Sequence, residues 1–149
     1  MAGPAPVVKI NPPKDKKIAI ISASWHRDIC DALVAGAVKG CEEFGIAYEI
    51  SYVPGSFELP LAAVQSFDRG FDGAVVLGLV MQGETPHFDY VCEGVTYGVM
   101  KGQLDSKKPI GFGVLMCTTM EQAKARIGGP GAKEDKGYDA AIAALSLLS

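Results

Sequence analysis

The chain has 149 residues, of which 48% are hydrophobic and 21% are charged, and its formal net charge at pH 7 is −3. This length and composition are those of one ordinary globular domain with a sizeable core. The small negative charge argues against a general affinity for nucleic acid or for a membrane surface, so we expect small molecules and further copies of the chain as partners.

The first 16 residues lack the apolar centre of a secretory signal, and we expect them to form a flexible tail ahead of a single domain at 17–149. No apolar run reaches the roughly 18 residues that a membrane helix requires. The four cysteines show no CxxC spacing, and three of them fall within apolar periodic segments. We therefore expect reduced thiols and a cytoplasmic location.

Short runs rich in β-branched residues alternate with longer amphipathic segments along the chain. The predicted strands span residues 17–23, 48–53, 73–80 and 110–116. The predicted helices span residues 28–45, 58–70, 88–104, 118–129 and 136–148. In the first helix, one face carries the apolar residues Ile29, Leu33, Ala37 and Cys41. This alternation predicts a parallel sheet that is covered by helices on both faces.

The loops that follow the four predicted strands carry unusual side chains. Their sequences are SWHRD, PGSFELP, GETPHFDY and CTTMEQ. In open parallel sheets, ligands bind beyond the carboxyl ends of the strands, where these loops meet. Trp25, Phe57, Glu58 and both histidines of the chain, His26 and His87, lie in them. We expect the functional site there.

The segment GETPHFDY joins an apolar strand to a helix and suits two kinds of chemistry. Histidine is the side chain whose ordinary pKa favours proton transfer near neutral pH, although His87 alone also fits a residue that merely caps the helix. The backbone N–H groups of residues 83–85, at a helix N-terminus, favour an anion such as phosphate. An ordinary turn with Thr85 as the N-cap is the alternative.

Five motifs, taken together and in order, resemble the lumazine synthase family. They are PGSFELP, GETPHFDYV, PIGFGVL, EQAKAR and EDKG, and the resemblance extends from about residue 17 to the C-terminus. It implies a flavodoxin-like α/β three-layer sandwich, with a four-stranded parallel sheet of order 2-1-3-4 and helices on both faces. A flavodoxin-like module is the alternative at the level of the fold, but no hydroxyl-rich phosphate loop follows the first strand.

The resemblance also implies a transferase reaction of riboflavin biosynthesis. In it, 5-amino-6-(D-ribitylamino)uracil condenses with 3,4-dihydroxy-2-butanone 4-phosphate to 6,7-dimethyl-8-ribityllumazine, with release of phosphate and water. The family uses neither metal nor cofactor. Two alternatives stay open: a catalytically weak protein that binds flavin or lumazine or forms a shell, and the archaeal type of riboflavin synthase.

The same resemblance assigns roles to individual residues. It makes His87 the general acid and base, with Asp89 as a group that orients or charge-stabilises the imidazole. For the phosphate it implies Gly83, Glu84, Thr85 and Arg126. For the ribitylaminouracil it implies Trp25 as a stacking platform, together with Ser56, Phe57, Glu58, Val80, Met81, Phe112 and Lys136.

Several of these residues have plainer interpretations without the resemblance. Trp25 and Phe112 also fit core aromatics, and Glu58 fits a first-turn carboxylate that the helix dipole favours. Arg126 and Lys136 also fit solvated charges. Three sites depart from the usual family pattern, namely Gln82 in place of a basic residue, His26 in place of asparagine, and the pair Met116 and Cys117.

The family assembles as pentamers whose active sites lie between neighbouring subunits, and some members assemble further into shells of sixty. Phe112 corresponds to an aromatic residue that the neighbouring subunit supplies. The stretch RIGGPGAKEDK is longer than its counterpart in shell-forming relatives and contains a proline. We therefore expect a homopentamer rather than a shell.

Overall fold

The computed structural model describes residues 3–148, and its four strands form one sheet in the order β2-β1-β3-β4. All three pairings within the sheet are parallel. The strands are β1 (Lys17–Ala23), β2 (Ala47–Val53), β3 (Gly73–Met81) and β4 (Ile110–Cys117). Each strand lies within one residue of its predicted bounds, and the predicted class and strand order are confirmed.

Five α-helices connect and follow the strands. They are α1 (Arg27–Glu43), α2 (Leu59–Asp68), α3 (His87–Ser106), α4 (Met120–Lys124) and α5 (Lys136–Ser146). A short 3-10 turn, Ser56–Glu58, comes directly before α2. No helix within residues 3–148 is both long and apolar enough to cross a membrane.

The sheet separates two apolar layers, as the alternation of side chains along a strand requires. In β1, Ile18 and Ile20 are buried with residues of α1 and α5 on one face. Ala19 and Ile21 point the other way and are buried with residues of α2 and α3. Helices therefore cover both faces, as the sequence predicts.

The helices of the first layer approach each other closely because glycine occupies the contact points. A methyl group at Gly40 would lie 2.9 Å from Cβ of Ala141, and one at Gly137 would overlap the carbonyl oxygen of Leu33. Any larger residue at these positions would push α5 away from α1. Helix α5 also packs against β4, where methyl groups at Gly111 and Gly113 would meet Ala140.

The predicted helix at 118–129 is wrong beyond Lys124. Instead of continuing, the chain turns, and Ile127 forms an isolated antiparallel bridge with Asp135. Gly128 and Gly129 have φ values of 74° and 83°, in the left-handed region that ends a helix and that glycine adopts without strain. The segment between α4 and α5 is thus a hairpin rather than helix.

The N-terminal segment contains neither helix nor strand from residue 3 to residue 16. Within it, Val7 is exposed, whereas Pro12 is buried and Ile10 packs against the layer formed by α1 and α5. The predicted tail thus makes contacts with the body of the protein over its second half. Residues 1 and 2 lie outside the described part of the chain, and the division into tail and domain stays a prediction.

Candidate active site

A cavity of about 430 Å³ opens at the carboxyl ends of β1 and β3. Nine of the predicted site residues line it, namely Trp25, Ser56, Phe57, Glu58, Val80, Met81, Gly83, Thr85 and His87. Its wall also includes His26, Gly55, Leu79, Phe88 and Val91. The structure therefore brings together residues from the loops after β1, β2 and β3, at the edge of the sheet that the topology rule indicates.

Trp25 is not a core aromatic, because 69% of its surface is exposed. It follows β1, and a methyl group at Gly55 would lie 3.4 Å from its indole Cδ1. The loop that carries the indole is fixed to the next loop, since Ser24 donates to the carbonyl of Val53 over 2.8 Å. The indole therefore forms a flat, accessible wall of the cavity.

His26 follows Trp25 and has a left-handed backbone conformation, which residues other than glycine rarely adopt. Its φ is 55° and its ψ is 58°, immediately before α1 begins. Among non-glycine residues this left-handed conformation is uncommon and clusters at functional sites. The sequence places His26 in a loop of the expected site but assigns it no role, and the structure places it in the wall of the cavity.

The turn before α2 presents Phe57 and Glu58 to the cavity. The Glu58 carboxylate accepts the N–H of Gly55 through Oε1 over 2.8 Å, and so closes the turn. Within residues 3–148 its second oxygen accepts no hydrogen bond. Ser56 is buried beneath the turn, whereas the Phe57 ring is 55% exposed. Glu58 thus stabilises its own turn and keeps an oxygen for a ligand.

His87 is the first residue of α3, and its imidazole contributes to the cavity wall. Pro86, and not Thr85, is the N-cap residue of this helix, and it makes no side-chain cap hydrogen bond. The backbone N–H of His87 donates to Thr85 Oγ1 over 3.4 Å. The side chain therefore does not act as the cap.

The structure does not bring Asp89 onto the imidazole of His87. Both residues lie in the first turn of α3, two positions apart, and side chains at that separation do not face each other on a helix. Asp89 also lies outside the wall of the cavity. Its role in orienting His87 stays a prediction.

The loop from β3 to α3 is exposed and fixed at its base. Gln82 donates its backbone N–H to the carbonyl of Cys117 over 3.0 Å, which ties the loop to β4. Gly83 and Thr85 line the cavity, whereas Glu84 is not among its lining residues. The 20 residues of α3 begin directly after this loop, so the positive end of the helix dipole faces the loop.

Arg126, Glu134 and Lys136 form a second polar group, the hairpin cluster, between α4 and α5. Glu134 Oε2 lies 3.6 Å from Arg126 Nε, and Glu134 Oε1 lies 3.0 Å from Lys136 Nζ. The Glu134 side chain is only 9% exposed. Arg126 also donates through Nη1 to the carbonyl of Gln122 over 2.8 Å. The two cations are therefore held side by side rather than freely solvated.

Sequence reasoning missed Glu134, although it lies in the motif EDKG. Its position in the motif was the available signal, but nothing in the sequence indicates that its carboxylate is buried between two cations. The backbone explains why: Lys136 donates its N–H to the carbonyl of Arg126 over 2.8 Å, which folds the hairpin around Glu134.

Phe112 and the hairpin cluster stand apart from the cavity of their own chain. Phe112 is 39% exposed on the edge strand β4, so it is not a core residue. Neither Phe112 nor any member of the hairpin cluster is among the residues that line the cavity. One chain therefore carries two separate groups of predicted site residues.

The cysteines are free in this structure, and Cys30, Cys41 and Cys117 are buried. Burial raises the pKa of the Cys41 thiol to about 11. Burial also raises the pKa of Cys117, while the nearby Arg126 lowers it. Thiols with raised pKa values stay protonated at neutral pH, and this makes them poor nucleophiles.

Comparisons with known proteins agree with the motifs. The model of the 6,7-dimethyl-8-ribityllumazine synthase family matches residues 15–149. A protein of that name from Streptomyces avermitilis is 46% identical over 143 residues, which cover 95% of this chain and 89% of the relative.

A second relative of the same name, from Paenarthrobacter aurescens, is 50% identical over 131 residues, or 87% of this chain and 81% of the relative. A third, from Micrococcus luteus, is 47% identical over 128 residues, or 86% and 80%. The family match includes the cavity, the edge strand and the hairpin cluster. The chain belongs to the 6,7-dimethyl-8-ribityllumazine synthase family.

Proposed function

We propose that the protein is a transferase of riboflavin biosynthesis that condenses 5-amino-6-(D-ribitylamino)uracil with 3,4-dihydroxy-2-butanone 4-phosphate. The products are 6,7-dimethyl-8-ribityllumazine, phosphate and water. Family membership supports the reaction. The observation that supports it most directly in this chain is the cavity, where an exposed indole, an exposed phenyl ring and an imidazole meet beyond the strands.

The ribitylaminouracil binds in the cavity through stacking and polar contacts. The exposed indole of Trp25 and the ring of Phe57 offer flat apolar surfaces to the pyrimidine. The turn formed by Ser56 and Phe57 supplies backbone groups for its polar atoms, and Val80 and Met81 supply the apolar floor. The free oxygen of Glu58 accepts hydrogen bonds from the ribityl hydroxyls.

His87 transfers the protons of the reaction. The amine of the pyrimidine attacks the ketone carbon, and loss of water leaves an imine. Elimination of phosphate follows, and the second ring then closes when the ribitylamino nitrogen attacks the remaining carbonyl and a second water leaves. Each step moves a proton between carbon, nitrogen or oxygen and a nearby base. The imidazole lines the cavity beside the substrates, and histidine titrates in the range that this work requires.

The phosphate binds where the loop from β3 enters α3. Backbone N–H groups of Gly83, Glu84 and Thr85 and the positive end of the α3 dipole favour an anion there. Arg126 of a neighbouring copy supplies a guanidinium, which binds a phosphate through two parallel hydrogen bonds. Lys136 of that copy adds a second cation near the same site.

The protein works as a homopentamer in which each active site is shared by two copies. Phe112, Arg126 and Lys136 do not line the cavity of their own chain, so a neighbour has to complete the site. Cyclic closure gives every copy one complete site. Large apolar side chains are exposed on one chain, as expected of a surface that a neighbour covers: Leu61, Tyr90, Tyr97, Met100 and Leu104.

Further assembly into a shell of sixty is not expected. Residues 128–131, which read GGPG, form an exposed turn in which all three glycines have positive φ. In the family this segment lies where pentamers would meet. Sedimentation at micromolar concentration tests both the pentamer and the absence of a shell. A particle of five chain masses agrees with the proposal, whereas a megadalton particle or an active monomer contradicts it.

The proposed location is the cytoplasm. All four cysteines are free thiols, and three of them are buried, which suits a reducing compartment. Fractionation of the source cells, with detection of the native protein, tests this proposal.

The reaction itself is tested by mixing the purified protein with both substrates. Lumazine absorbance and phosphate release are followed together, and the rate without protein is subtracted because the condensation also proceeds uncatalysed. Both signals are expected to rise in equal amounts. Binding of the product without any acceleration of phosphate release would instead identify a protein that binds lumazine and lacks catalysis.

A further inference from the structure

Three glycines follow one face of α3 at intervals of four residues. They are Gly94, Gly98 and Gly102, and residues four apart lie one above another on a helix. A methyl group at Gly94 would lie 2.8 Å from Cε1 of Phe57, and one at Gly98 would lie 2.8 Å from Cβ of Pro60. The absence of side chains on this face thus lets the segment around α2 lie directly against α3.

The two contacts differ in what can move. Pro60 lies in the first turn of α2, and its ring is joined to its own backbone nitrogen, so it cannot swing away. The nearest atoms at Gly94 are the far end of the Phe57 ring, which turns about two side-chain bonds and is 55% exposed at the wall of the cavity. A clash at Gly94 therefore displaces a ring, whereas a clash at Gly98 displaces a helix.

We propose that Gly94 is a positioning residue for the pyrimidine substrate. Because Gly94 has no side chain, the Phe57 ring packs directly against the backbone of α3, and this contact fixes the ring in the cavity wall. The proposal rests on the function proposed above, which assigns Phe57 to the heterocycle. Carbon atoms in contact lie about 3.5 to 4.0 Å apart. A methyl group at 2.8 Å thus requires the ring to shift by about 1 Å. Because the ring is exposed at the cavity wall, this shift changes the shape of the cavity.

The proposal predicts that substitution of Gly94 affects substrate binding without lowering the stability of the protein. Alanine forms helices better than glycine, so Gly94→Ala is expected to leave the melting temperature unchanged or to raise it once the ring has moved. Gly102→Ala is the matched control, with the same substitution two turns along the same face, where the nearest atoms belong to Val64 and Ile110, outside the cavity wall. It is expected to leave the affinity for both substrates within twofold of wild type.

The experiment measures the steady-state kinetics of the assembled, full-length protein with each substrate varied in turn. For Gly94→Ala we expect KM for the ribitylaminouracil to rise about 3- to 10-fold, the range that one displaced aromatic contact represents. KM for the butanone phosphate and kcat are expected to stay within twofold. An unchanged KM for the ribitylaminouracil would overturn the proposal.

A double-mutant cycle shows whether Gly94 acts through Phe57. In a Phe57→Ala background, where no ring is left to displace, adding Gly94→Ala is expected to have no further effect on KM. The same fold-change in both backgrounds would mean that Gly94 acts by another route and would also overturn the proposal.

Binding of 6,7-dimethyl-8-ribityllumazine, followed through the fluorescence of Trp25, distinguishes failure of this proposal from failure of the proposed function. If wild type forms no lumazine, the proposed reaction is wrong, and the titration still decides the role of Gly94. Weaker binding by Gly94→Ala than by Gly102→Ala supports the role, and equal binding by the two variants refutes it.

Discussion

The cavity and the hairpin cluster hold their polar side chains in opposite ways. In the cavity, the indole of Trp25 and the imidazole of His87 form no side-chain hydrogen bond to another residue of the range 3–148. In the hairpin cluster, the two cations share one carboxylate that is 9% exposed. The cavity therefore offers free groups to a ligand, whereas the cluster offers cations whose direction is already fixed.

This difference indicates how much conformational entropy the side chains of each region have lost before a ligand binds. Fixing a long basic side chain costs conformational entropy, and Glu134 holds Arg126 and Lys136 in place within the folded chain. The same carboxylate offsets one positive charge, and Asp139 lies 3.7 Å from Lys136 Nζ, so two carboxylates lie beside the two cations. A phosphate bound there also requires the N–H groups at the start of α3.

Loss of His87 is expected to produce the largest change, because it removes the proton-transfer group from the cavity. For His87→Ala we expect kcat to fall about 10- to 1000-fold, while the assembly is retained. Part of the rate survives, because two substrates that are bound in a reactive orientation react faster than free substrates even without an acid or base group. Steady-state kinetics at saturating substrates measures the effect.

The other histidine provides the matched control for that prediction. His26 lines the same cavity but belongs to the loop after β1, so His26→Asn is expected to change kcat by less than about threefold, an effect well below that of losing an acid and base. An unchanged kcat in His87→Ala, or an equal loss in both variants, would remove His87 from its assigned role.

Loss of Arg126 tests the hairpin cluster in the same assay. Arg126→Ala is expected to raise KM for the butanone phosphate about 10- to 100-fold, since a charge-assisted hydrogen bond contributes roughly 1.5 to 3 kcal/mol. KM for the ribitylaminouracil should change much less. Lys124→Ala removes an exposed cation from the end of α4 and is the matched control, with no expected effect on either KM.

Mixing the two defective chains tests whether the cavity and the cluster of one site come from different copies. His87→Ala and Arg126→Ala chains are unfolded together, reassembled and assayed with the butanone phosphate well below the KM of Arg126→Ala. They are expected to regain activity toward about a quarter of the wild-type value. In a random mixture, half of the cavities carry His87 and half of their neighbours carry Arg126. No gain over the separately reassembled variants would contradict a shared site.

Trp25 gives a smaller effect on affinity but a direct signal. Trp25→Ala is expected to raise KM for the ribitylaminouracil about 5- to 50-fold, since stacking of a base on an aromatic ring contributes roughly 1 to 3 kcal/mol. The chain has one tryptophan, so titration of wild type with a flavin or lumazine should quench or shift its emission. Saturable binding without any change in emission would place the heterocycle elsewhere.

The sequence predicts the strands and the cavity better than the hairpin, and the reason is physical. Alternation in β1 and the loops after β1 to β3 are local patterns, and parallel pairing brings their ends together. The extent of α4 and the burial of Glu134 depend on a contact between the end of α4 and the beginning of α5. Such a contact leaves no periodic signal in the chain.

The separation of Arg126 from the cavity is the second result that residue patterns alone do not give. Motif order assigns Arg126 to the phosphate, and only the resemblance to the family implies that Arg126 completes the pocket of a neighbouring subunit. Asp89 shows the converse limit of a local pattern. It stands two residues after His87 in the motif HFD, and side chains two positions apart do not face each other once a helix begins at His87, so its role stays a prediction.

The smallest expected effect concerns Asp139, the second carboxylate beside Lys136, at 3.7 Å from its Nζ. Burial, and then the neighbouring carboxylates of Asp135 and Glu134, raise the pKa of Asp139 above its ordinary value of 3.8, although Lys136 lowers it. A carboxyl whose pKa is higher in the folded state binds its proton more tightly there. It therefore removes stability as pH rises through the ordinary value, and the loss is complete above the folded pKa.

Asp139→Asn abolishes this titration and keeps the shape of the side chain. The variant is expected to be slightly more stable than wild type at pH 7, by roughly 0.5 kcal/mol or less, the scale of a partly exposed charge. The difference should shrink as pH falls toward 4, where the wild-type carboxyl takes up its proton in both states. Urea unfolding at several pH values measures it. A variant less stable than wild type at pH 7 would mean that the ion pair with Lys136 outweighs burial, and that the hairpin cluster holds its lysine with two carboxylates instead of one.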